Sequence, residues 1–149
     1  MEEQSVDRRV RKTKRQLRKA LMDLMAEKPV KSISVRELAD RADINRGTFY
    51  IHYKDVGDLL QRLEDEMAER LILVCKKYAH ADTSTSGYPY LTELYRFAQD
   101  NADLCQILLG PNGDRGYTER ICTILRSDFL RDFLSLIHIS EPTRLQLIS

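Results

Sequence analysis

Side chains able to bind a polyanion are concentrated in one short stretch, ADINRGTFYIHYKD at residues 42–55. The stretch offers a guanidinium, an ammonium, an imidazole and two hydroxyls, from Arg46, Lys54, His52, Thr48 and Tyr50. Such groups donate to phosphate oxygens, and a guanidinium also fits a guanine edge. The chemistry of this stretch is therefore recognition rather than catalysis, because no nucleophile has a plausible base beside it in the pattern.

The elements that must position these groups are short helices. Asn45 is a suitable N-cap for a helix of about residues 46–52. In that helix Phe49 points to the core with Ile44, and Tyr53 closes the end. The outer face then carries Arg46, Gly47, Thr48, Tyr50, Ile51 and His52. The N-terminal half of such a helix is the part that enters a major groove of double-stranded DNA.

A second short helix precedes this one. Ser34 followed three residues later by Glu37 predicts a capping box at its start. The buried side of this helix is formed by Leu38, Ala39 and Ala42. Asp43 can adopt the left-handed conformation that a sharp turn requires, although Gly would do so at lower cost. Two short helices joined so tightly predict a helix-turn-helix.

An amphipathic helix of about residues 8–27 begins the chain. Its apolar positions are Val10, Leu17, Leu21, Leu24 and Met25. Its other face is basic, with no acid among Arg8, Arg9, Arg11, Lys12, Lys14, Arg15, Arg18 and Lys19. Residues 1–54 carry a net charge of +6 and residues 55–149 a net charge of −5. A polyanionic partner is therefore expected at the N-terminal end only.

The rest of the periodic sequence predicts a helical body. Asp55 and Asp58 begin a long helix of about residues 56–79, whose acidic run at 64–66 is expected to be solvated. A polar loop at 81–90 separates it from helices resuming at about residue 91. A later short helix is predicted to be capped by Asn101 and to stop at Gly110–Pro111. The last clear helix uses Ile121, Cys122, Leu125, Phe129 and Phe133. GPNGDRG at 110–116 follows a helix rather than a strand, so it is not expected to bind phosphate.

Composition excludes several classes of protein. The 149 residues are 42% apolar and 32% charged with only ten Gly and Pro, as expected for one domain or a small head on a helical body. No apolar run approaches a membrane span or a signal peptide, so a cytoplasmic protein is expected. The cysteines, Cys75, Cys105 and Cys122, lack paired spacing, which favours buried thiols over a metal site or disulfides. No cofactor is indicated.

Residues of about 10–60 resemble the DNA-binding head of TetR-type (TetR/AcrR) transcriptional regulators. The resemblance rests on the order Ser34–Val35, Leu38–Ala39, Ile44–Asn45, Gly47–Thr48–Phe49–Tyr50, His52–Tyr53–Lys54 and Leu59. It implies DNA contacts at Ser34, Arg46, Thr48, Tyr50, His52 and Lys54. Two positions depart from the pattern. Asp43 replaces the usual Gly, and Val56 replaces a frequent phosphate-binding Lys, whose loss the basic first helix would offset.

The resemblance also implies a function. Such proteins are mostly ligand-responsive repressors that bind operator DNA as homodimers, with a small-molecule effector buried in the body. QILLGPNGD at 106–114 resembles one C-terminal class of the same family. Candidate residues for lining the effector site are Tyr78, Tyr95, Phe97, Cys105 and Phe129. Aromatic side chains at helical spacing also pack in cores, and that reading stays open for each of them.

The last residues do not continue the pattern. From Leu134 the helical period lapses, and Pro142 is incompatible with a helix interior. LSLIHISEPTR resembles the translation of a common sequencing-library adapter, so residues 134–149 are expected to be an artefactual tail; the alternative is a packed β-like tail. The resulting expectation is an all-α chain divided into a head (1–54), a partial body (55–133) and the tail. The family's two dimerisation helices would then be missing.

Two other functional classes remain for comparison. A TetR-like protein could act through a protein partner, with weak or no DNA binding, although the polar helix at 46–52 in a basic head argues against it. An enzyme would need converging acid, base or nucleophilic groups. The three histidines, His52, His80 and His138, are far apart in the sequence, and no such constellation is visible.

Overall fold

The computed structural model describes residues 2–78, 88–127 and 130, and these residues form helices joined by turns. The helices are α1 (Glu2–Glu27), α2 (Val35–Ala42), α3 (Arg46–His52), α4 (Val56–Tyr78), α5 (Tyr88–Asp100), α6 (Ala102–Leu108) and α7 (115–127), with one 3-10 turn at Val30–Ser32. The all-α prediction is confirmed. The proposed tail at 134–149, together with Phe129, Phe133, His80 and His138, lies outside the described residues.

The core begins in the head, where α1 packs across α2 and against α4. Six large side chains there have no solvent exposure: Leu17, Leu21, Leu24, Leu38, Phe49 and Leu59. Each one contributes about 1.5–3 kcal/mol by leaving water. This packing fixes the two short helices α2 and α3 on the long helices α1 and α4.

Helix α1 is longer than its apolar period predicts. It begins at Glu2 rather than near residue 8. Its first turns carry mostly polar residues, so no apolar period marks them as helical. Acidic residues at a helix N-terminus interact favourably with the helix dipole. Asp7 also pairs with Arg11 at 3.2 Å, four residues further along the helix.

The turn between α2 and α3 follows the prediction closely. Asp43 has φ 54° and ψ 48°, the left-handed conformation, and its backbone N–H donates to carbonyls of α2. The predicted capping box is only half formed. The Ser34 hydroxyl accepts from the Glu37 N–H at 3.2 Å, but the Glu37 carboxylate accepts from Lys28 Nζ at 2.6 Å instead of reaching back to the cap. A charge-assisted hydrogen bond is stronger than one from a neutral N–H, which explains the preference.

Helix α4 connects head and body. The Asp55 carboxylate accepts from the Asp58 N–H at 2.8 Å, and the Asp58 carboxylate accepts from the Lys54 N–H at 2.9 Å. This reciprocal cap starts a 23-residue helix about 35 Å long. Buried residues lie along α4 from Val56 to Cys75, so this helix contributes side chains to the cores of both the head and the body.

Helices α5, α6 and α7 complete the described body. Their buried side chains are Leu104, Leu108, Tyr117 and Ile121. Helix α5 starts at Tyr88 within the predicted loop, because Pro89 is tolerated in the first turn of a helix. The predicted cap at Asn101 is wrong. Its amide donates to the Phe97 carbonyl at 2.8 Å and its oxygen accepts from Arg70 at 3.3 Å, so neither atom caps α6.

The loop between α6 and α7 is held by close backbone packing. A Cβ at Gly113 would lie 2.1 Å from the Leu108 carbonyl oxygen, and a Cβ at Gly110 would lie 2.5 Å from the Gln106 oxygen. Asn112 donates to the carbonyl of Met25, in the last turn of α1, at 2.9 Å. The two glycines therefore serve close packing of this loop against the end of α6.

The cysteines lie in three different environments. Cys75 is buried and Cys105 half-buried, but Cys122 is exposed, which corrects the expectation of three buried thiols. Within the described ranges no three His, Cys, Asp or Glu side chains group to hold a metal ion. No helix in the same part of the chain has the length and apolar character needed to span a membrane.

Candidate nucleic-acid interface

Helix α3 has two sharply different faces. Phe49 is fully buried and Tyr53, its C-cap, is 7% exposed. On the other side Tyr50 is 58% exposed and Ile51 is 77% exposed. A hydroxyl-bearing ring and a large aliphatic side chain are thus presented to solvent from a helix whose opposite face is locked into the core.

Tyr53 fixes the end of α3 against α4. Its ring lies 5.7 Å from the ring of Phe49, and the Arg62 guanidinium carbon lies 5.3 Å from its centroid. Arg62 is itself held by Asp58 at 3.1 Å. Burial raises the pKa of the Tyr53 phenol, so this ring remains a neutral packing element. The orientation of α3 is therefore set by α4.

The start of α3 is also fixed. The Asn45 side-chain oxygen accepts from the Gly47 N–H at 2.8 Å, as the predicted N-cap requires. A Cβ at Gly47 would meet only that same oxygen, at an ordinary 3.5 Å. The fold itself would thus tolerate a side chain at Gly47, which leaves this exposed stretch of backbone open to close approach from outside.

The other sequence-predicted contacts lie around the same face. Arg46, Gly47, Lys54, Asn45 and Ser34 are exposed, and Thr48 and His52 are half-buried. Within the described residues neither the Arg46 guanidinium nor the Lys54 ammonium forms an ion pair. The Ser34 hydroxyl already accepts one hydrogen bond and keeps its own proton to donate. The whole set of predicted contacts is therefore available at the surface.

The basic face of α1 is less uniform than its sequence indicates. Arg11 pairs with Asp7 and Arg18 lies 3.7 Å from Glu66 of α4, so two of its eight cations have acidic neighbours. The other six are exposed or nearly so: Arg8, Arg9, Lys12, Lys14, Arg15 and Lys19. The pair between Arg18 and Glu66 links this helix to α4.

The proposed effector-lining residues are only partly brought together. Phe97 and Cys105 line a cavity of about 30 Å³ in the body, together with Met67, Leu71, Leu109, Tyr117 and Ile121. Tyr95 does not line it, because its ring is 65% exposed and its hydroxyl accepts from Gln99 at 3.0 Å. The side chain of Tyr78 and all of Phe129 lie outside the described residues. A cavity of this size holds about one water molecule.

One acidic side chain contradicts the sequence reading. Glu64 was expected on a solvated face, yet it is 8% exposed and its Oε1 has no hydrogen-bond donor among the described residues. Burial, reinforced by the nearby carboxylates of Asp114 and Asp65, raises the pKa of Glu64 to about 7. Asp65, in contrast, is paired with Arg120 at 2.5 Å. Only two of the three acids at 64–66 therefore lie at the surface.

The burial of Glu64 can be read from its spacing in the sequence. Glu64 lies four residues after Leu60 and four before Ala68, so it falls on the apolar stripe of α4. It also lines an open groove of about 880 Å³ between head and body, which we call the head–body groove. Its walls are residues 29–31, the segment 54–64 at the start of α4, and loop residues 111–115.

Comparisons with known proteins agree with this geometry. Residues 17–63 match the model of the N-terminal domain of the tetR family of bacterial regulatory proteins. The chain is 35% identical over 71 residues to the HTH-type transcriptional regulator YxbF of Bacillus subtilis strain 168. That match covers 47% of this chain and 19% of the relative, so it concerns only a small part of that protein.

A solved structure extends the likeness beyond the head. It is a transcriptional regulator of the TetR/AcrR family from Aquifex aeolicus VF5, which superimposes with a TM-score of 0.63 at 18% identity. The superposition covers 91% of this chain and 77% of the other. The chain therefore has the all-helical fold of TetR/AcrR regulators, and its residues 17–63 match the N-terminal domain of the tetR family of bacterial regulatory proteins.

Proposed function

We propose that this chain is a sequence-specific DNA-binding transcriptional regulator that inserts α3 into the major groove of operator DNA. The observation that carries this proposal is the division of α3 into an anchored face, Phe49 and Tyr53, and an exposed face that includes Tyr50 and Ile51. The match of residues 17–63 to the tetR-family head supports it. Both relatives are described as transcriptional regulators, which also supports it.

The side chains would make two kinds of contact with the duplex, to base edges and to phosphates. Arg46 and Thr48, at the N-terminal end of α3, are suited to base edges, and the methyl groups of Thr48 and Ile51 to thymine. Tyr50, His52 and Lys54 would donate hydrogen bonds to phosphates. Ser34 at the start of α2 and Asn45 at the start of α3 would add further contacts to the DNA backbone. The exposed cations of α1 would add longer-range attraction to the duplex.

We further propose that the intact regulator binds as a homodimer and represses transcription in the absence of a small-molecule effector. A helix-turn-helix dimer binds two half-sites about 34–36 Å apart, so a second copy of α3 would double the number of base contacts. The cavity around Phe97 and Cys105 is about 30 Å³, far below the roughly 300 Å³ of a ligand pocket. An effector bound in this cavity would therefore require the helices around it to move apart.

The test is selection from randomised duplexes followed by titration of salt. We expect the full chain to enrich one sequence motif, and the logarithm of its affinity to fall linearly with the logarithm of salt concentration, by about 0.9 per phosphate neutralised. Arg46→Ala should remove the motif, whereas Glu69→Gln, on an exposed part of α4, should leave it unchanged. Failure of the full chain to enrich any motif would contradict the proposal.

The alternative is a module that binds a protein partner through the same face. The 77% exposure of Ile51 is the observation that favours it, since exposed aliphatic side chains are common at protein interfaces. This reading expects weak DNA binding with a flat dependence on salt. The same titration therefore separates the two functions.

A further inference from the structure

Two ion pairs join the end of α1 to α2. Lys28 Nζ donates to both carboxylate oxygens of Glu37, at 2.6 and 2.8 Å. Arg41, one turn further along α2, donates from both terminal nitrogens to one oxygen of Glu27, at 3.2 Å each. The Lys28–Glu37 pair has the shorter hydrogen bonds and is the less exposed of the two. The Glu37 carboxylate is therefore held firmly toward the end of α1.

This ion pair determines what surrounds Ser34. Glu37 is the third residue of α2, a position from which a glutamate can reach back and accept from the backbone N–H of the N-cap residue. Here the N-cap is Ser34, and its N–H has no acceptor among the described residues, since the carboxylate is bonded to Lys28 instead. The Ser34 hydroxyl accepts from the Glu37 N–H at 3.2 Å and keeps its own proton to donate. Neither donor of Ser34 is thus taken by a carboxylate.

A Glu37 carboxylate bonded to Ser34 would oppose a phosphate at that residue. Glutamate is ionised at neutral pH, and the hydrogen bonds from Lys28 lower the pKa of Glu37 further. In a complete capping box, this charge would occupy the Ser34 N–H and repel an incoming phosphate. Lys28 prevents both effects, because it holds the carboxylate away from Ser34 and neutralises its charge.

We propose that Lys28 is a positioning residue for DNA binding, which holds the Glu37 carboxylate away from Ser34 so that Ser34 can donate to a backbone phosphate. The inference rests on the proposed function, in which Ser34 contacts the DNA backbone. Lys28 acts through Glu37, to which it gives two of its three donors. Its contribution is to affinity rather than to base preference, since phosphate contacts carry no sequence information.

Removal of Lys28 tests the proposal directly. In Lys28→Met the carboxylate is free to complete the capping box, so DNA affinity should fall about tenfold, by the same factor for the selected operator and for duplexes with altered bases. Lys28→Arg, which can still pair with Glu37, should keep the affinity of the parent. Fluorescence anisotropy at fixed salt measures affinity, and thermal melting confirms that each variant is folded.

A second substitution should reverse the loss. Lys28→Met combined with Glu37→Ala has the net charge of the parent and no carboxylate at residue 37, so its affinity should return to within about twofold of the parent. Glu37→Ala alone breaks the same ion pair but should bind DNA within about twofold of the parent, or more tightly. A role of the pair in holding α2 would give the opposite result, with a loss in every variant that breaks it.

The release of Glu37 can also be measured without DNA. The Ser34 amide proton gains an acceptor in Lys28→Met, so its exchange with solvent, followed by NMR, should slow by about threefold or more. Exchange in the double variant should match the parent, because alanine cannot accept this hydrogen bond.

Arg41→Met is the matched control. It also removes one positive charge and breaks an ion pair between α1 and α2, but it leaves Glu37 bonded to Lys28. Its DNA affinity should change by about threefold or less, because an exposed charge that does not contact the duplex is screened by salt. Exchange of the Ser34 amide should not change.

Four results would overturn the proposal. These are parental DNA affinity in Lys28→Met, an unchanged Ser34 amide in that variant, a loss in Glu37→Ala equal to that in Lys28→Met, and a double variant as weak as Lys28→Met. The last result would show that Lys28 contacts DNA itself. If the full chain selects no DNA motif, the regulator proposal fails and this inference fails with it. If it selects a motif and the Lys28 variants bind like the parent, only the role of Lys28 fails.

Discussion

The head and the body of this chain differ in how completely they are packed. In the head, six large side chains have no solvent exposure, and α2, α3 and α4 each begin with a side-chain cap. In the described body, Tyr90, Leu94, Phe97 and Leu125 are only half-buried, and α6 has no side-chain cap. Leu91 and Tyr95 on α5 are more than 60% exposed.

Under the proposed function, this difference matches where the chain needs fixed geometry and where it must open. Reading base edges requires α3 to be held to within a fraction of an ångström, and a close-packed core with satisfied helix ends provides that rigidity. Looser packing leaves the body helices free to shift at smaller cost. A region that must open for an effector benefits from that freedom. The predictions below test this contrast.

The largest effect is expected from the head core. Phe49→Ala should reduce the free energy of unfolding by about 3–5 kcal/mol, because it removes a fully buried ring. Phe97→Ala, in the half-buried body, should reduce it by roughly half as much. Urea denaturation measures both, with Tyr50→Ala as the exposed control at about 0.5 kcal/mol or less. Equal losses at Phe49 and Phe97 would remove the contrast between the two regions.

The next effect divides the head surface into two kinds of contact. Arg46→Ala should weaken binding to a selected operator by about 1–3 kcal/mol and relax the base preference. Lys54→Ala should weaken all sequences similarly and reduce the salt slope by about 1. Fluorescence anisotropy on matched duplexes measures both quantities. The groove assignment of α3 is wrong if Arg46→Ala changes neither affinity nor preference.

The boundary between the regions gives a pH-dependent effect. The pKa of Glu64 is raised from 4.5 in a free chain to about 7 in the fold, so the native state binds the proton more tightly. Stability from this group is present below about pH 4.5, falls as pH rises to about 7, and stays reduced above that. Glu64→Gln should therefore be more stable than the parent at about pH 8, by roughly 1–3 kcal/mol, and similar at about pH 4.5.

Thermal melting across pH checks this prediction. Glu66→Gln is the control, since that carboxylate is exposed and its neighbour Arg18 lies 3.7 Å away. A stability difference between Glu64→Gln and the parent that does not change with pH would show that Glu64 titrates normally.

The smallest effect concerns the turn in the head. Asp43→Gly should stabilise the chain by about 0.5 kcal/mol, because Asp43 adopts a left-handed φ of 54° that costs a non-glycine residue energy. Asp40→Gly, in the last turns of α2, should instead destabilise it by about 0.5–1 kcal/mol. Chemical denaturation measures the free energy of unfolding of both variants, which should change in opposite directions. Destabilisation by Asp43→Gly would mean that the Asp side chain itself supports the turn.

The sequence predicted the head almost completely because its signals are local. Caps, a turn residue and one buried ring define α2 and α3, and helix α3 was predicted with its observed bounds. Asn45 caps it as expected. The half-formed capping box shows the limit of local reasoning, since Lys28, nine residues away, takes the Glu37 carboxylate. The roles of the exposed α3 residues remain predictions, because no nucleic acid is present.

The body was predicted less well because its interactions are distant in sequence. Asn101 bonds to Arg70, 31 residues away, and so does not cap α6. Glu64 is buried and lines a groove shared with a loop about 50 residues further along, and its acidic neighbours at 65 and 66 give no sign of this in the sequence. Tyr95 and Cys122 point to solvent because helical spacing alone does not say which faces find neighbours.

The hydrogen bond from Asn112 to the Met25 carbonyl has a mechanical consequence. The last four carbonyls of a helix lack partners within it, and here one of those at the end of α1 is satisfied by a side chain 87 residues away. If the loop before α7 shifts, either α1 must follow it or a polar atom loses its partner. A displacement that begins in the body thereby reaches the base of the head without passing through the length of α4.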